Sequence, residues 1–170
     1  MPRVYLSLGS NVRPEANLAL GVRELTREFG AMTLSPVYRN KAVGFVGDDF
    51  LNLVAGFDTR RHVPTISRII EAIHRTAGRR RGEERFSSRT LDIDLLTYGN
   101  RVTKGPPVSL PRADILKYAF VLKPLADIAG NERHPVDGRT YGRLWQDYDG
   151  DGGLHEVTVD LHSMSASGKR

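Results

Sequence analysis

The sequence predicts an α+β fold of the ferredoxin-like type, a split βαβ antiparallel sheet with helices packed on one of its faces. The main observation is the order of the elements, strand–helix–strand–strand–helix–strand, which is the pattern of that fold. The composition agrees, because 39% of the 170 residues are hydrophobic and 26% are charged, as in one compact domain. We expect a single domain over residues 1–161 and a disordered tail over residues 162–170.

The first half of the chain supplies one helix and three strands of this pattern. Arg3–Leu8 alternates between apolar and polar residues, as a half-buried strand does. The helix after it is predicted from a face of apolar residues, Leu18, Leu20, Val22, Leu25 and Phe29. Ser10 or Asn11 is expected to cap this helix, and Gly30 to end it. Two further strands are predicted on either side of a glycine-containing loop, at Thr33–Tyr38 and Phe50–Phe57.

The second half of the chain begins with another amphipathic helix, from Val63 to Gly78. Its apolar residues recur at spacings of three and four, at Ile66, Ile69, Ile70 and Ile73. The fourth strand is predicted at Thr90–Tyr98. Two helices and a strand are predicted beyond it, at Tyr118–Ile128, Tyr141–Trp145 and His155–Leu161 respectively. Pro124 is expected either to kink its helix or to lie in the first turn.

Composition and charge exclude several classes of protein. The absence of cysteine excludes disulfides, thiolate catalysis and cysteine-based zinc sites. No apolar run approaches the length of about 18 residues that a membrane span needs, and the first residues lack the pattern of a secretory signal, so we expect a cytoplasmic protein.

The segment from Arg75 to Arg89 is strongly basic, because it contains six arginines and only two glutamates. This stretch indicates a polyanionic partner, such as nucleotide phosphates or nucleic acid, unless it is a solvated loop.

Two aspartates, Asp92 and Asp94, interrupt the apolar run RTLDIDLLTYG at residues 89–99. In a strand they share one face, and the leucines and isoleucine beside them take the other. Neighbouring carboxylates repel each other unless a cation lies between them, and magnesium binds one or two carboxylates together with water and phosphates. The alternative is an amphipathic strand with its polar face in water. The arginines just upstream favour magnesium and phosphoryl transfer.

Four segments between residues 3 and 130 form a recognisable set: YLSLGSN, SPVYRNKAVGFVGDDFLN, GRRRGEERFSSRTLDIDLLTYG and AFVLKPLADIAG. The third segment, which contains R-x-x-D-[IL]-D-[IL]-L-x-[YF]-G, is the most specific. In these collinear segments the chain resembles the 6-hydroxymethyl-7,8-dihydropterin pyrophosphokinases of folate biosynthesis. The resemblance implies a ferredoxin-like fold and transfer of the pyrophosphoryl group of ATP to the pterin hydroxymethyl oxygen, with release of AMP.

The same resemblance implies roles for particular residues. Asp92 and Asp94 would hold two magnesium ions that bridge the phosphates of ATP, the co-substrate, and Arg79 and Arg89 would clamp those phosphates. Contacts with ATP are implied for Glu71, His74, Arg79, Arg81, Arg85, Arg89, Leu95, Arg112 and Tyr118. Contacts with the pterin are implied for Asn40, Val43, Phe50, Asn52 and Phe120. We expect the chain to be a monomer that binds ATP and a hydroxymethyl pterin, without nucleic acid or membrane.

Several residues depart from the pattern of the family. Arg112 stands where a histidine is usual, Tyr118 where an arginine is usual, His74 where a glutamate is usual and Glu71 where a glutamine is usual. These positions face the nucleotide in the family. They leave open a divergent paralogue with weak activity, or with a different pterin or nucleotide.

Three other features have competing interpretations. An RNA-binding module would share the fold, but the strands lack the aromatic-rich run that stacks bases. Residues 147–152, DYDGDG, fit the first half of a calcium loop, but its twelfth position is Thr158 rather than glutamate, so we interpret them as a turn. Four histidines in polar or terminal contexts are expected at the surface: His62, His134, His155 and His162.

Overall fold

The computed structural model of the protein describes residues 1–78 and 90–162. The strands are β1 (Arg3–Ser10), β2 (Thr33–Leu34), β3 (Val37–Asn40), β4 (Phe50–Asp58), β5 (Asp92–Tyr98) and β6 (His155–Val157). The helices are α1 (Pro14–Phe29), α2 (Val63–Thr76), α3 (Asp114–Lys117), α4 (Ala119–Ala129) and α5 (Tyr141–Asp147). No helix of the described residues is long and apolar enough to cross a membrane.

The strands form one antiparallel sheet in the order β5-β1-β4-β3-β6, and β2 also pairs with β4. The strand that follows α2 therefore lies at one edge, next to β1. This is the arrangement that the split βαβ pattern predicts, so the predicted fold class is confirmed. The last strand, β6, extends the sheet at the opposite edge.

Helices cover both faces of the sheet. On one face, α1 and α2 pack against apolar residues such as Leu6, Leu53 and Ile93. On the other face, α3, α4 and α5 pack around Val54 and Leu96. The prediction that the helices lie on a single face is therefore wrong for the later helices. The physical reason is that β1, β4 and β5 carry apolar residues on both faces, and each apolar surface is stabilised by burial.

The predicted strand at residues 33–38 is divided in two by Ser35 and Pro36. Proline has no backbone N–H to donate to a ladder. Ser35 continues the contact with β4 instead, because its N–H donates to the carbonyl oxygen of Val54 at 2.9 Å and its Oγ accepts from the N–H of Val54 at 2.8 Å. Both β2 and β3 therefore pair with β4 despite the interruption.

The start of α1 differs from the prediction. The N-cap residue is Arg13, with φ at 41° and no capping hydrogen bond from its side chain. Ser10 and Asn11 do not cap the helix, because Ser10 Oγ donates to the carbonyl oxygen of Thr90 and Asn11 Nδ2 donates to that of Asp48. The end of the helix is as predicted: Gly30 has φ at 84° and closes it.

The region after β5 holds further differences. The sequence analysis did not predict α3, a single short turn of helix. Pro124 lies inside α4 rather than in its first turn, and β6 ends at Val157 although Leu161 still belongs to the core. Of the predicted disordered tail, residues 163–170 lie outside the described part of the chain.

His134 is buried, in contrast to the predicted surface position, with 5% of its surface exposed. Its Nδ1 accepts hydrogen bonds from the backbone N–H groups of Val136 at 3.2 Å and Asp137 at 2.9 Å. A protonated imidazole has no acceptor at Nδ1. Burial lowers the pKa of His134, and the charge of Asp137 opposes this only in part. The native state therefore favours the neutral ring.

We predict that acid destabilises the protein through His134. The unfolded chain binds this proton near the ordinary pKa of about 6.5, whereas the native state binds it only at lower pH. The free energy of unfolding should therefore fall as the pH drops through about 6.5 toward the native pKa. Urea unfolding at several pH values should give a shallower slope for His134→Gln than for the wild type. His62→Gln, at an exposed position, is the control and should keep the wild-type slope.

Candidate active site

Asp92 and Asp94 lie on the face of β5 that also carries Leu96 and faces α3, α4 and α5. Both carboxylates are partly exposed. The alternate residues Ile93 and Leu95 are buried on the opposite face, against α1 and α2. The predicted division of this strand into a carboxylate face and an apolar face is therefore confirmed.

A row of paired residues crosses the sheet from this carboxylate pair. Asp92 on β5 pairs with Gly9 on β1, Gly9 pairs with Asn52 on β4, and Asn52 pairs with Tyr38 on β3. Residues that are directly opposite in neighbouring strands share a face. Asp92 and Asn52 therefore point to the same side of the sheet, two strand spacings or about 10 Å apart.

Gly9 separates these two side chains. A Cβ atom at this position would lie 2.5 Å from Oδ1 of Asn52, closer than two such atoms can approach. The lack of a side chain therefore lets the Asn52 amide lie over β1. It also leaves the surface between the amide and the Asp92 carboxylate without a side chain from β1.

The amide of Asn52 is held in one orientation. Its Nδ2 donates a hydrogen bond to Oδ1 of Asn40, and Nδ2 of Asn40 donates to the carbonyl oxygen of Lys41 at 3.1 Å. Both asparagine side chains are buried. Because the two amides form a chain of hydrogen bonds, a group that contacts Asn52 meets a fixed pattern of donor and acceptor.

A cavity of about 630 Å³ opens beside this amide pair. Its walls come from β3 with the loop after it, from the start of α4 and from the region around β6: Arg39, Asn40, Lys41, Ala42, Val43, Asp49, Tyr118, Ala119, Phe120, Tyr148, Gly152, Gly153 and His155. The hydroxyl of Tyr38 donates to the carboxylate of Asp127 and so ties α4 to β3 behind the cavity. The fold thus brings Asn40, Val43 and Phe120 to one cavity, and their contact with a pterin stays a prediction.

The two predicted aromatic residues have different neighbours. Phe120 stacks on Tyr118, with ring centroids 4.9 Å apart. Phe50 pairs with Asn40 across β4 and β3, and its ring meets Phe45 edge to face with centroids 6.3 Å apart. Tyr118, predicted to contact the nucleotide, lines the same cavity as Phe120, whereas Phe50 is not among the residues that line it.

β5 is held by contacts in addition to its ladder with β1. Nε2 of His74 on α2 accepts from the N–H of Ile93 at 2.8 Å, and the N–H of Arg112 donates to the carbonyl oxygen of Leu96 at 2.8 Å. The bond of Ser10 to the carbonyl oxygen of Thr90 fixes the residues just before the strand. These contacts set the position of the strand that carries the two carboxylates.

His74 therefore has a contact other than the one predicted for it. Its side chain is 3% exposed, and its bond to Ile93 reaches the peptide group that joins Asp92 to Ile93. An Nε2 that accepts places the ring proton on Nδ1, which lies 3.4 Å from the largely exposed carboxylate of Glu71. The geometry gives His74 the role of positioning β5.

A cation already lies beside the carboxylate pair. Nη2 of Arg112 is 3.5 Å from Asp94, and its Nε donates to Asp114 at 3.0 Å. Burial disfavours the charged guanidinium, but the carboxylates of Asp94 and Asp114 outweigh it and raise the pKa of Arg112. Arg112 thus stays charged within reach of any phosphate that approaches this face.

The donor set suits magnesium. Two partly exposed carboxylates project from one face of a strand, with a guanidinium beside them to compensate their charge. Within residues 1–78 and 90–162, no group of three or more histidine, aspartate or glutamate side chains forms a closed metal cage. A pair of carboxylates without a cage is the usual protein contribution to a magnesium site that completes its shell with water and phosphates.

Other predicted site residues lie elsewhere. The side chain of Leu95 is in the core, so a contact with ATP would have to use its backbone. Four arginines fall outside the described residues, and their roles stay predictions: Arg79, Arg81, Arg85 and Arg89. Three further residues reach the site although no role there was predicted for them: Asp114, which carries no motif, and Tyr148 and Gly152, which lie in the segment interpreted as a turn.

Comparison with family models matches residues 5–130 to the family described as 7,8-dihydro-6-hydroxymethylpterin-pyrophosphokinase (HPPK). The chain belongs to this family. Residues 131–162, which include α5 and β6, lie beyond the match.

Curated relatives agree with the HPPK assignment. The chain is 36% identical over 141 residues to the 2-amino-4-hydroxy-6-hydroxymethyldihydropteridine pyrophosphokinase of Pseudomonas aeruginosa, covering 81% of this chain and 86% of the relative. It is 34% identical to the enzyme of that name from Aquifex aeolicus, covering 80% and 86%. It is 31% identical to the folic acid synthesis protein fol1 of Pneumocystis carinii, covering 79% of this chain but 18% of that longer protein.

Solved structures share the fold. The crystal structure of Plasmodium falciparum HPPK-DHPS with pterin and p-hydroxybenzoate matches with a TM-score of 0.72 and 13% identity, over 93% of this chain and 47% of that chain. The wild-type structure with SDX-DHP matches with a TM-score of 0.66 and 14% identity, over 87% and 44%. This HPPK chain therefore spans less than half the length of these solved chains, and the likeness shows the fold alone.

We predict that His74 stabilises this HPPK chain through its bond to Ile93. His74→Leu keeps the size of the side chain but leaves the buried N–H of Ile93 without its acceptor, which should lower the free energy of unfolding by about 1–3 kcal/mol. Gln offers an acceptor oxygen, so His74→Gln should lose less. Urea unfolding of the three proteins checks this. Equal losses in the two variants would contradict the role of the hydrogen bond.

Proposed function

We propose that this HPPK family member transfers the pyrophosphoryl group of ATP to the hydroxymethyl oxygen of 6-hydroxymethyl-7,8-dihydropterin in folate biosynthesis, yielding the pterin diphosphate and AMP. The observation that carries the proposal is the row across β5, β1 and β4. It sets the Asp92 carboxylate and the Asn52 amide on one face with Gly9 between them. A heterocycle held by the amide would direct its hydroxymethyl group along the row toward the carboxylates. Because the proposed reaction uses ATP, we expect this protein to act in the cytoplasm.

The pterin edge is a planar array of hydrogen-bond donors and acceptors. The fixed amides of Asn52 and Asn40 offer a matching array, because their hydrogen-bond chain prevents rotation. Phe120 and Phe50 would supply aromatic faces for the ring, and Val43 would add an apolar surface at the cavity. Binding of the ring would therefore combine stacking with recognition of one edge.

ATP would bind on the carboxylate side of the row. Asp92 and Asp94 would hold two magnesium ions, which would reduce the negative charge of the phosphates. Arg112 would contact a phosphate, since its charged guanidinium lies beside Asp94. The arginines of residues 79–89 would clamp the phosphates and stabilise the charge that develops during transfer.

The transfer itself needs no nucleophile from the protein. The pterin hydroxyl oxygen attacks the β-phosphorus of ATP, the bond from that phosphorus to the α-phosphate oxygen breaks, and AMP leaves with the bonding electrons. The hydroxyl proton passes to solvent or to a phosphate oxygen. The protein contributes by holding the two substrates in line and by surrounding the phosphates with positive charge.

A divergent paralogue is the second candidate, and the contacts of two departing residues favour it. Tyr118 stacks on Phe120 rather than offering a charge to phosphate, and His74 is buried under β5. Both positions carry a charged residue in the family pattern. Binding of ATP without turnover of the pterin would support this alternative.

We predict that the purified protein, given ATP, magnesium and 6-hydroxymethyl-7,8-dihydropterin, forms AMP and pterin diphosphate in equal amounts. The reason is that each transfer releases one AMP. Chromatography of both products over time measures the ratio. Formation of ADP, or of AMP without the pterin diphosphate, would overturn the proposed reaction.

We predict that Asp94→Ala lowers turnover by at least about 100-fold, because one of two metal-holding carboxylates is lost. Magnesium titrations followed by isothermal calorimetry with an ATP analogue should show weaker metal binding as well. Asp58→Ala is the matched control, because Asp58 is also a carboxylate of a sheet strand but pairs with Arg3 at the far end of β4. Near-normal turnover of Asp94→Ala would exclude the metal role.

A further inference from the structure

We propose that the C-terminal wall, defined as Tyr148, Gly152, Gly153 and His155, limits the size of the pterin that the cavity accepts. This inference rests on the proposed function and adds a determinant of specificity to it. All four residues line the cavity together with Asn40 and Phe120. They lie beyond residue 130, where the match to the family ends. The wall is therefore supplied by the part of this chain that the family match does not cover.

The wall is anchored at its end nearer to α5. The ring of Tyr148 stacks on Trp145, with centroids 5.4 Å apart, and its hydroxyl donates to the carbonyl oxygen of Lys117 at 3.4 Å. The ammonium group of Lys123 on α4 lies 5.7 Å from the centroid of the Trp145 ring. Tyr148 is therefore bonded to the last residue of α3 and contacts, through Trp145, the helix α4 that presents Phe120 to the cavity.

The other end of the wall is anchored by the sheet. β6 pairs with β3, and His155 lies opposite Arg39 in this pairing. Asn40, the next residue of β3, holds the Asn52 amide. The wall thus spans from α4 to the strand that carries the polar part of the site, and a change in its position changes the width of the cavity.

Gly152 sets the distance between the wall and α4. Its φ is +66°, and an added Cβ would lie 2.1 Å from Cβ of Ala119, the residue before Phe120. Two carbon atoms cannot approach so closely, so any side chain here must push the wall away from the start of α4. Glycine at this position therefore allows the closest contact between the wall and the aromatic residue of the cavity.

These contacts make two different predictions for substitutions. Gly152→Ala displaces the wall, so the pterin loses contact on one side and binds more weakly. Tyr148→Ala removes a large ring from the wall, while the pairing of β6 with β3 still holds the other end of the wall, so a bulkier pterin gains room. If the wall only supported the fold, neither substitution would change the affinity for pterin selectively or alter the preference between pterins.

The first experiment measures pterin binding by fluorescence titration in the presence of magnesium and a non-hydrolysable ATP analogue. Gly152→Ala should raise the Kd for 6-hydroxymethyl-7,8-dihydropterin about 10-fold, while the Kd for the ATP analogue stays within about twofold of the wild-type value. The control is Gly138→Ala, since Gly138 has a φ of +87° but an added Cβ would meet no atom of the described residues within 4 Å. It carries the same backbone strain and should bind both ligands as the wild type does.

The second experiment compares turnover of the natural pterin with that of an analogue that carries an added alkyl group on the ring. Tyr148→Ala should raise the ratio of kcat/KM for the bulky analogue to that for the natural pterin about 10-fold. Tyr148→Phe keeps the ring and should keep the wild-type ratio. This ratio is independent of the amount of folded protein, so a loss of stability does not imitate the effect.

Three outcomes overturn the inference. The first is a Gly152→Ala variant with the pterin affinity of Gly138→Ala, and the second is an unchanged preference between pterins in Tyr148→Ala. If the wild type binds and converts the pterin, either of these outcomes shows that the C-terminal wall does not limit the size of the pterin. The proposed function is then unaffected. The third is a wild type that binds no pterin, which overturns the proposed function and the inference together.

Discussion

The site depends on the register of β5 at the edge of the sheet. A slip of one residue along β1 would turn Asp92 and Asp94 into the apolar core and bring Ile93 to the surface. An edge strand has neighbours on one side only, so it needs other contacts to fix it. His74 provides one at the peptide of Ile93, and Ser10 provides another just before the strand. The buried contacts of α2 and β1 thus determine where the two carboxylates point.

The same face of the sheet carries both a hydrophobic core and a polar site, and the two are separated along the strands. Toward one end, Val54 and Leu96 are buried under α4 and α5. Toward the other end, Asp92 is partly exposed, and the buried amide of Asn52 lies on the same face. Arg112 compensates the charge of the exposed carboxylates where the two zones meet. Close packing and charge can therefore coexist on one face, because each occupies its own length of strand.

The C-terminal region explains why a cavity, rather than an open surface, lies beside the amide pair. Without β6 and the turn before it, the edge of β3 and the start of α4 would face solvent. Gly152 lets that turn reach Ala119, and the turn encloses the space next to Phe120. The sequence pattern of residues 147–152 predicts only a turn. That interpretation fits the structure, but it gave no reason to connect the turn with Asn40, more than a hundred residues earlier.

The sequence by itself determined the order of the elements, the two faces of β5 and the end of α1 at Gly30, because alternation, helical periodicity and glycine conformation are local properties. Only the tertiary structure decided that His74 supports β5, that His134 is buried and that Ser10 bonds to Thr90 instead of capping α1. Each of these polar groups has more than one possible partner. Which partner it takes is fixed by the packing that brings distant segments within hydrogen-bond distance, and no local pattern records that choice.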